Sequence, residues 1–97
     1  MNLNEYTKRT IETAIYPGAG EGKLEEFSYL ALGLASEAGE VAGKIKKYQR
    51  DGYLKIEDVV AELGDCYYYL SRLCLACEVE PEVVIEMNLL KLLDRKK

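Results

Sequence analysis

The sequence predicts an all-α protein: an antiparallel bundle of about four helices whose core is completed by dimerisation. Apolar residues recur with a period of about 3.6 in every apolar segment longer than a few residues. Glycine and proline fall at only a few places, and the short connections between them favour antiparallel neighbours. The hydrophobic fraction is 48 % in only 97 residues. Because so short a chain buries a modest part of its surface, we expect self-association to cover the excess.

The four predicted helices occupy one domain, residues 1–97, since there is no room for a second core. The first spans about residues 4–15 and ends at the Pro- and Gly-containing segment 16–20. The second spans about residues 24–49 and stops near Asp51-Gly52. Its apolar stripe consists of Phe27, Leu30, Leu34, Val41, Ile45 and Tyr48.

The second half of the chain predicts two more helices. The third spans about residues 56–77, with the apolar stripe Val59, Leu63, Cys66, Leu70 and Leu73. The fourth begins at Pro81, which suits a first helical turn because it lacks an N–H group, and continues to the C-terminus.

Composition excludes several classes of function. A net charge of -4 argues against a nucleic-acid polymer as partner, because such binding needs a basic surface. The chain has no histidine, so mechanisms that require an imidazole are excluded within one chain. No apolar run approaches the ~18 residues of a membrane span, and the N-terminus lacks a signal-peptide pattern. With an odd number of cysteines as well, we expect a cytoplasmic protein without membrane contact.

Two pairs of acidic residues predict a metal site. Glu37 and Glu40 share one face of the second predicted helix, and Glu62 and Asp65 share one face of the third. Both pairs lie at the edge of an apolar stripe, where a carboxylate is costly unless it is paired or bound to a cation. Two antiparallel helices would bring the four carboxylates together, and a hard divalent cation relieves their repulsion.

The two acidic motifs also share a glycine. Residues 37–40 (EAGE) match residues 62–65 (ELGD), with Gly39 and Gly64 at the same offset. Because a glycine inside a helix costs ~1 kcal/mol relative to alanine, the matched pair predicts close backbone packing at both positions.

Cationic and amide side chains follow these motifs at helical spacing, and they are candidate phosphate ligands. They are Lys44 and Lys47 after the first pair, Arg72 after the second, and Asn88, Lys91 and Arg95 on the last helix. The alternative is an ordinary solvated surface with ion pairs such as Glu40 with Lys44. The repetition of the motif favours the metal and phosphate site.

At these positions the chain resembles the MazG-like nucleotide pyrophosphohydrolases. Residues 32–41 (LGLASEAGEV), with Lys44 and Lys47, resemble the first signature of that family, and residues 62–65 followed by 68–70 (YYL) resemble the second. Residues 88–96 are similar to the closing helix of its short members. The resemblance covers roughly residues 3–96, and the two motifs in order make it specific.

The resemblance implies an all-α homodimer or homotetramer that hydrolyses nucleoside triphosphates to monophosphate and pyrophosphate. The reaction would depend on Mg²⁺, with Mn²⁺ as a substitute, and would clear deoxynucleoside or non-standard triphosphates from the nucleotide pool. The implied metal ligands are Glu37, Glu40, Glu62 and Asp65. A carboxylate of Glu37 or Glu40 would orient the attacking water. Ser36 stands where many members have a further glutamate, which leaves the number of metal ions open.

The sequence leaves open which residues would contact the nucleotide base. Some relatives use tryptophan, which this chain lacks, so Tyr16, Phe27, Tyr29 and Tyr69 are the candidates, with a core role as the alternative for each. Two other functions also remain open: a related scaffold that binds nucleotide without hydrolysis, and a non-catalytic helical interaction module. A di-iron bundle is disfavoured, because it needs Glu-x-x-His motifs.

Overall fold

The computed structural model describes residues 1–96, and every element in them is helical. The chain forms α1 (Leu3–Arg9), a 3-10 turn (Thr10–Thr13), α2 (Leu24–Asp51), α3 (Ile56–Ala76) and α4 (Pro81–Arg95). The all-α prediction is therefore confirmed, with the ends of the last three helices within two residues of the predicted ones.

The first predicted helix is shorter than expected. It becomes a 3-10 turn at Thr10, and three threonine hydroxyls accompany the change. Thr7 donates to the carbonyl of Leu3 at 2.9 Å, Thr10 to that of Thr7 at 2.6 Å, and Thr13 to that of Thr10 at 3.2 Å. Such hydroxyls offer the carbonyls an alternative to regular helical bonds, which is why the helix tightens and ends here.

Helices α2 and α3 form an antiparallel hairpin, which is the main packing contact of the chain. Gly33 faces Tyr69 and Glu37 faces Asp65, so residues further along α2 meet residues nearer the start of α3. The connection is short because Gly52 adopts a left-handed conformation (φ 73°) and donates its N–H to the carbonyl of Tyr48 at 2.7 Å.

Helix α4 packs mainly on α1 and makes no extended contact with α2 or α3 among the described residues. Asn4 fixes its beginning: the side-chain oxygen accepts the N–H of Glu82 at 3.2 Å, and the side-chain nitrogen donates to Glu80 at 3.0 Å. Pro81 is buried, but every residue from 82 to 96 is exposed.

The shape is open for a chain of this size. The accessible surface is 7222 Å², against about 5,600 Å² for a compact monomer of the same mass. The radius of gyration is 15.5 Å, against about 12.5 Å for a compact chain. Leu30 is the one large apolar side chain fully buried within residues 1–96, whereas Ile45, Tyr48, Leu63 and Leu70 of the predicted stripes are exposed. No described helix is long and apolar enough to cross a membrane.

Candidate metal centre

Three of the four predicted metal ligands converge. Glu37 of α2 and Glu62 and Asp65 of α3 each place a carboxylate oxygen within 4.8 Å of the other two. Glu62 and Asp65 are one turn apart on α3, and the antiparallel register puts Glu37 opposite them. Glu37 and Glu62 are half-buried and Asp65 is exposed, so the cluster opens to solvent on one side.

The electrostatics of this cluster are strained without a cation. Burial raises the pKa of Glu37, a hydrogen bond with Glu62 raises it further, and the charges of Asp65, Glu62 and Glu40 act in the same direction. A carboxyl group surrounded by anions holds its proton more tightly, and a divalent cation with oxygen ligands is the usual relief.

Glu40 lies outside the group of three. It is exposed one turn further along α2, although its charge reaches Glu37. The same helix carries Lys44 and Lys47, which line a pocket of about 230 Å³ together with Asp51, Lys55 and Asp58. The sequence did not identify Lys55 as a candidate, because this residue precedes α3 and so does not share a helix face with the acidic motifs.

The remaining predicted phosphate ligands are separated from the cluster within one chain. Asn88, Lys91 and Arg95 are exposed on α4, which does not pack along the hairpin. Arg72 is occupied elsewhere: it is 3 % exposed, donates to the Tyr16 hydroxyl at 3.0 Å and to Thr10 at 3.3 Å, and lies 3.9 Å from the carboxylate of Glu26. Arg72 is therefore a structural residue.

Three of the four base-pocket candidates form one aromatic cluster. The rings of Tyr16 and Tyr29 stack with centroids 5.0 Å apart, and Tyr29 is 6.5 Å from Tyr69. Burial raises the pKa of Tyr69, and interactions with Tyr29 and then the charge of Glu37 raise it further. The aromatic cluster therefore lies beside the carboxylates. Phe27 is half-buried, and within residues 1–96 its ring does not stack on these tyrosines.

A buried carboxylate that the sequence did not reveal holds the preceding loop. Glu26 is 1 % exposed and accepts the Tyr16 hydroxyl at 2.6 Å and the N–H groups of Gly20 and Gly22, both at 2.8 Å. Burial raises its pKa, but these donors and Arg72 outweigh burial and lower it. Gly20 and Gly22 have φ of 78° and 66°, a conformation that favours glycine. The glycine-rich loop before an acidic residue was the available signal.

The glycine prediction is wrong within one chain. A Cβ at Gly39 or Gly64 would have nothing within 4 Å, whereas a Cβ at Gly33 would collide with the ring of Tyr69. Gly64 instead lines a groove of about 490 Å³ with Met1, Leu3, Tyr6 and Tyr67. Burial raises the pKa of Tyr6, and the charges of Tyr68 and Asp65 raise it further, so this groove adjoins the carboxylate cluster.

These features define an all-α protein with a carboxylate centre on two antiparallel helices. Residues 25–97 match the family described as MazG nucleotide pyrophosphohydrolase domain, and the chain belongs to that family. It is 42 % identical over 102 residues to the Gene 37 protein of Mycobacterium phage L5, in an alignment that covers 99 % of this chain and 90 % of the relative. No solved structure matches the chain significantly.

Proposed function

We propose that residues 1–97 form a single domain that hydrolyses nucleoside triphosphates to monophosphate and pyrophosphate with Mg²⁺. Deoxynucleoside or non-standard triphosphates in the cytoplasm are the proposed substrates. The observation that carries the proposal is the convergence of Glu37, Glu62 and Asp65 from two helices in a member of this family.

The donor set fits magnesium. Mg²⁺ prefers a few carboxylate oxygens together with water and substrate phosphates. Three carboxylates open to solvent on one side match that preference, and no histidine or nearby thiolate pair favours a softer metal. Mn²⁺ shares the preference for oxygen ligands and is the expected substitute.

The chemistry follows from the position of each group. Bound Mg²⁺ would neutralise the triphosphate and lower the pKa of a coordinated water. Glu37 or Glu40, on the same helix face, orients the water that attacks the α-phosphorus. Lys44 and Lys47 continue along α2 from Glu40, and with Lys55 they offer cations to the β- and γ-phosphates as these leave together.

The aromatic cluster is the proposed base-binding wall. Tyr29 is 40 % exposed, so part of this residue is accessible to a planar base. Tyr69 connects Tyr29 to the carboxylates, because its ring contacts Tyr29 and its pKa is raised by the charge of Glu37. This arrangement supports base recognition and phosphate chemistry on one side of the hairpin.

The working form is proposed to be a homodimer or homotetramer. The accessible surface exceeds that of a compact monomer by about 1,600 Å² per chain. Counted over both chains of a dimer, this excess falls in the range of total area that obligate dimers bury. The exposed apolar side chains of α2, α3 and α4 would supply the interface.

Hydrolysis in ¹⁸O-labelled water tests the reaction. A panel of standard and modified triphosphates is incubated with Mg²⁺, and the products are separated for mass spectrometry. We expect label in the nucleoside monophosphate and none in the pyrophosphate, because the attack is on the α-phosphorus. Labelled orthophosphate together with a nucleoside diphosphate would mean attack at the γ-phosphorus and would refute the proposal.

A second candidate is nucleotide binding without hydrolysis. The position of Glu40 outside the three-carboxylate group favours it, since one predicted ligand is then missing from the centre. Calorimetric binding of triphosphate with Mg²⁺ but no product across the same panel would support this function instead.

A further inference from the structure

We propose that the buried ion pair of Glu26 and Arg72 positions Tyr16 for recognition of the nucleotide base, so that the aromatic wall is assembled before the substrate binds. This inference rests on the proposed function, because it concerns how the base contact of the same site is made. Glu26 is 1 % exposed and Arg72 is 3 % exposed, so both act through Tyr16 and are positioning residues.

Three layers share one face of the α2–α3 hairpin, and each takes one residue or more from both helices. They are the carboxylates (Glu37 with Glu62 and Asp65), the rings (Tyr29 with Tyr69) and the ion pair (Glu26 with Arg72). Along α3, Asp65, Tyr69 and Arg72 follow one another at spacings of four and three, so they lie on one helix face. The rings are about 6 Å along the helix from Asp65, and the ion pair is about 4.5 Å further. A base joined through its sugar to phosphates at the carboxylates therefore meets the rings before the ion pair.

Tyr16 comes from the loop before α2, and the ion pair fixes its side chain. The hydroxyl donates to the carboxylate of Glu26 at 2.6 Å and accepts the Nε–H of Arg72 at 3.0 Å. The guanidinium carbon of Arg72 is 5.6 Å from the centre of the same ring. The ring stacks on Tyr29 with the two planes 4° apart. A hydroxyl bound on both sides leaves the ring little freedom to turn, so the ion pair sets the angle at which Tyr16 meets Tyr29.

The two charged side chains bond to the loop more closely than to each other. The guanidinium of Arg72 is 3.9 Å from the carboxylate of Glu26, which is longer than a hydrogen bond, whereas its N–H groups donate to Tyr16 and Thr10. Glu26 in turn accepts from the backbone of the segment 20–22. Burying two charges is costly, and an apolar pair of similar volume is often no less stable. The directed contacts of the pair thus order the segment that carries Tyr16.

Rings that are already parallel make base binding cheaper. A planar base then finds the exposed part of Tyr29 backed by a fixed neighbour, and no ring has to be ordered when it binds. The metal centre is a separate layer and does not depend on the hydroxyl of Tyr16. Loss of the clamp should therefore weaken the binding of the base without slowing the chemical step.

Comparison of a nucleotide with a base-free analogue tests the inference. Tyr16→Phe keeps the ring and removes both hydrogen bonds of the hydroxyl. The apparent KM for an equimolar mixture of the four deoxynucleoside triphosphates should rise about fivefold or more, with kcat unchanged within about twofold. Inorganic tripolyphosphate offers phosphates without a base, so its inhibition constant should stay the same. Equal rises in KM and in the inhibition constant, or a rise in neither, would overturn the inference.

Arg72→Lys repeats the test with the charge kept. A lysine still places a cation near Glu26 but lacks the planar fork that binds Tyr16 and Thr10 together. The apparent KM should rise about threefold or more with the same inhibition constant for tripolyphosphate. This variant decides the test if circular dichroism shows that Tyr16→Phe is unfolded. Arg9→Lys is the matched control, because its ion pair with Glu12 is exposed, and both constants should stay at their wild-type values.

A second measurement does not depend on turnover. The α,β-methylene analogues of the same four nucleotides resist cleavage, and calorimetry with Mg²⁺ gives their affinities beside that of tripolyphosphate. Wild type should bind the analogues more tightly than tripolyphosphate, and Tyr16→Phe should lose most of that preference. An inactive wild type with this pattern would refute the proposed reaction and keep the positioning role. An active wild type whose Tyr16→Phe variant kept the full preference would keep the reaction and overturn the inference.

Discussion

The ring of Tyr69 on α3 lies against the backbone of Gly33 on α2, where even a methyl group would collide with it. This contact brings the Tyr69 ring close to the α2 backbone, and Glu37, whose charge raises the pKa of Tyr69, follows four residues later on α2. The register of the carboxylate centre therefore depends on a glycine one turn before its first ligand.

Gly33→Ala should destabilise the protein by about 1–3 kcal/mol, because overpacking forces either the ring or the backbone to move. The matched control is Gly43→Ala on the same helix, where a Cβ would have nothing within 4 Å. The control should be neutral or stabilising by up to about 1 kcal/mol, since alanine favours helix over glycine. Urea denaturation measures both, and equal effects would contradict the packing argument.

Tyr16→Phe should lower stability at neutral pH by about 1–3 kcal/mol, because it removes a hydrogen bond to the buried carboxylate of Glu26. Tyr53→Phe is the control, since that side chain is 70 % exposed. Chemical denaturation of the three proteins at pH 7 gives the comparison.

The same variant reports on alkaline pH. Burial and then the hydrogen bond to Glu26 raise the pKa of Tyr16 to about 12, from 10.0 in the unfolded chain. A raised pKa means that the contribution of Tyr16 is fully present below pH 10.0 and is lost as the pH rises through about 12. The difference between wild type and Tyr16→Phe should therefore shrink over that interval; a constant difference would speak against it.

Magnesium should stabilise the folded protein. At a hundred times its dissociation constant the gain is about 2.7 kcal/mol, which raises Tm by roughly 10–20 °C for a domain of this size. Glu62→Gln should abolish this gain while making the metal-free protein no less stable, because one repelling carboxylate is gone. Glu57→Gln, exposed on the same helix, should retain the full response. Calorimetry that detected no binding, even with nucleotide present, would refute the site.

Lys91→Ala and Arg95→Ala should slow turnover of triphosphate by at least tenfold while changing Tm little, because exposed cations contribute little to folding. Lys8→Ala on α1 is exposed as well but belongs to no predicted site, so it should leave both quantities unchanged. Steady-state kinetics and thermal melts on the three variants measure this. Similar small effects from all three would favour an ordinary solvated surface.

Light scattering at micromolar concentration should give the mass of a dimer or a tetramer. Leu90→Asp should shift the mass towards the monomer, because a charge at a buried apolar contact is costly. Ile15→Asp is the control, because this residue is 94 % exposed and belongs to none of the helices. A monomeric wild type would contradict the oligomer.

The sequence predicted what depends on local spacing. Helical period located α2, α3 and α4, and two i,i+3 pairs located Glu37, Glu62 and Asp65. The packing of α4 on α1 could not be predicted, because a short connection favours packing against the preceding helix, α3. Arg72 looked like a phosphate ligand because the sequence shows which face of α3 it occupies. The sequence does not show that the buried Glu26, on a different helix, lies beside it.

The glycines illustrate the limit more sharply. Gly39 and Gly64 repeat in matched motifs and attracted the prediction of close packing, yet Gly33 makes the intrachain contact. Repetition identifies a shared constraint, but only the three-dimensional register shows which glycine meets a ring.

The carboxylate of Glu26 also determines how the segment from residue 10 to residue 22 unfolds locally. It holds the N–H groups of Gly20 and Gly22, while Arg72 holds Thr10 and Tyr16 from the opposite helix. Loss of any one of these contacts leaves a buried charge with fewer partners, so the segment from residue 10 to residue 22 should detach as one cooperative unit. The amide hydrogens of Gly20 and Gly22 would then exchange with solvent at rates set by one shared opening event, rather than by the separate fraying of an irregular loop.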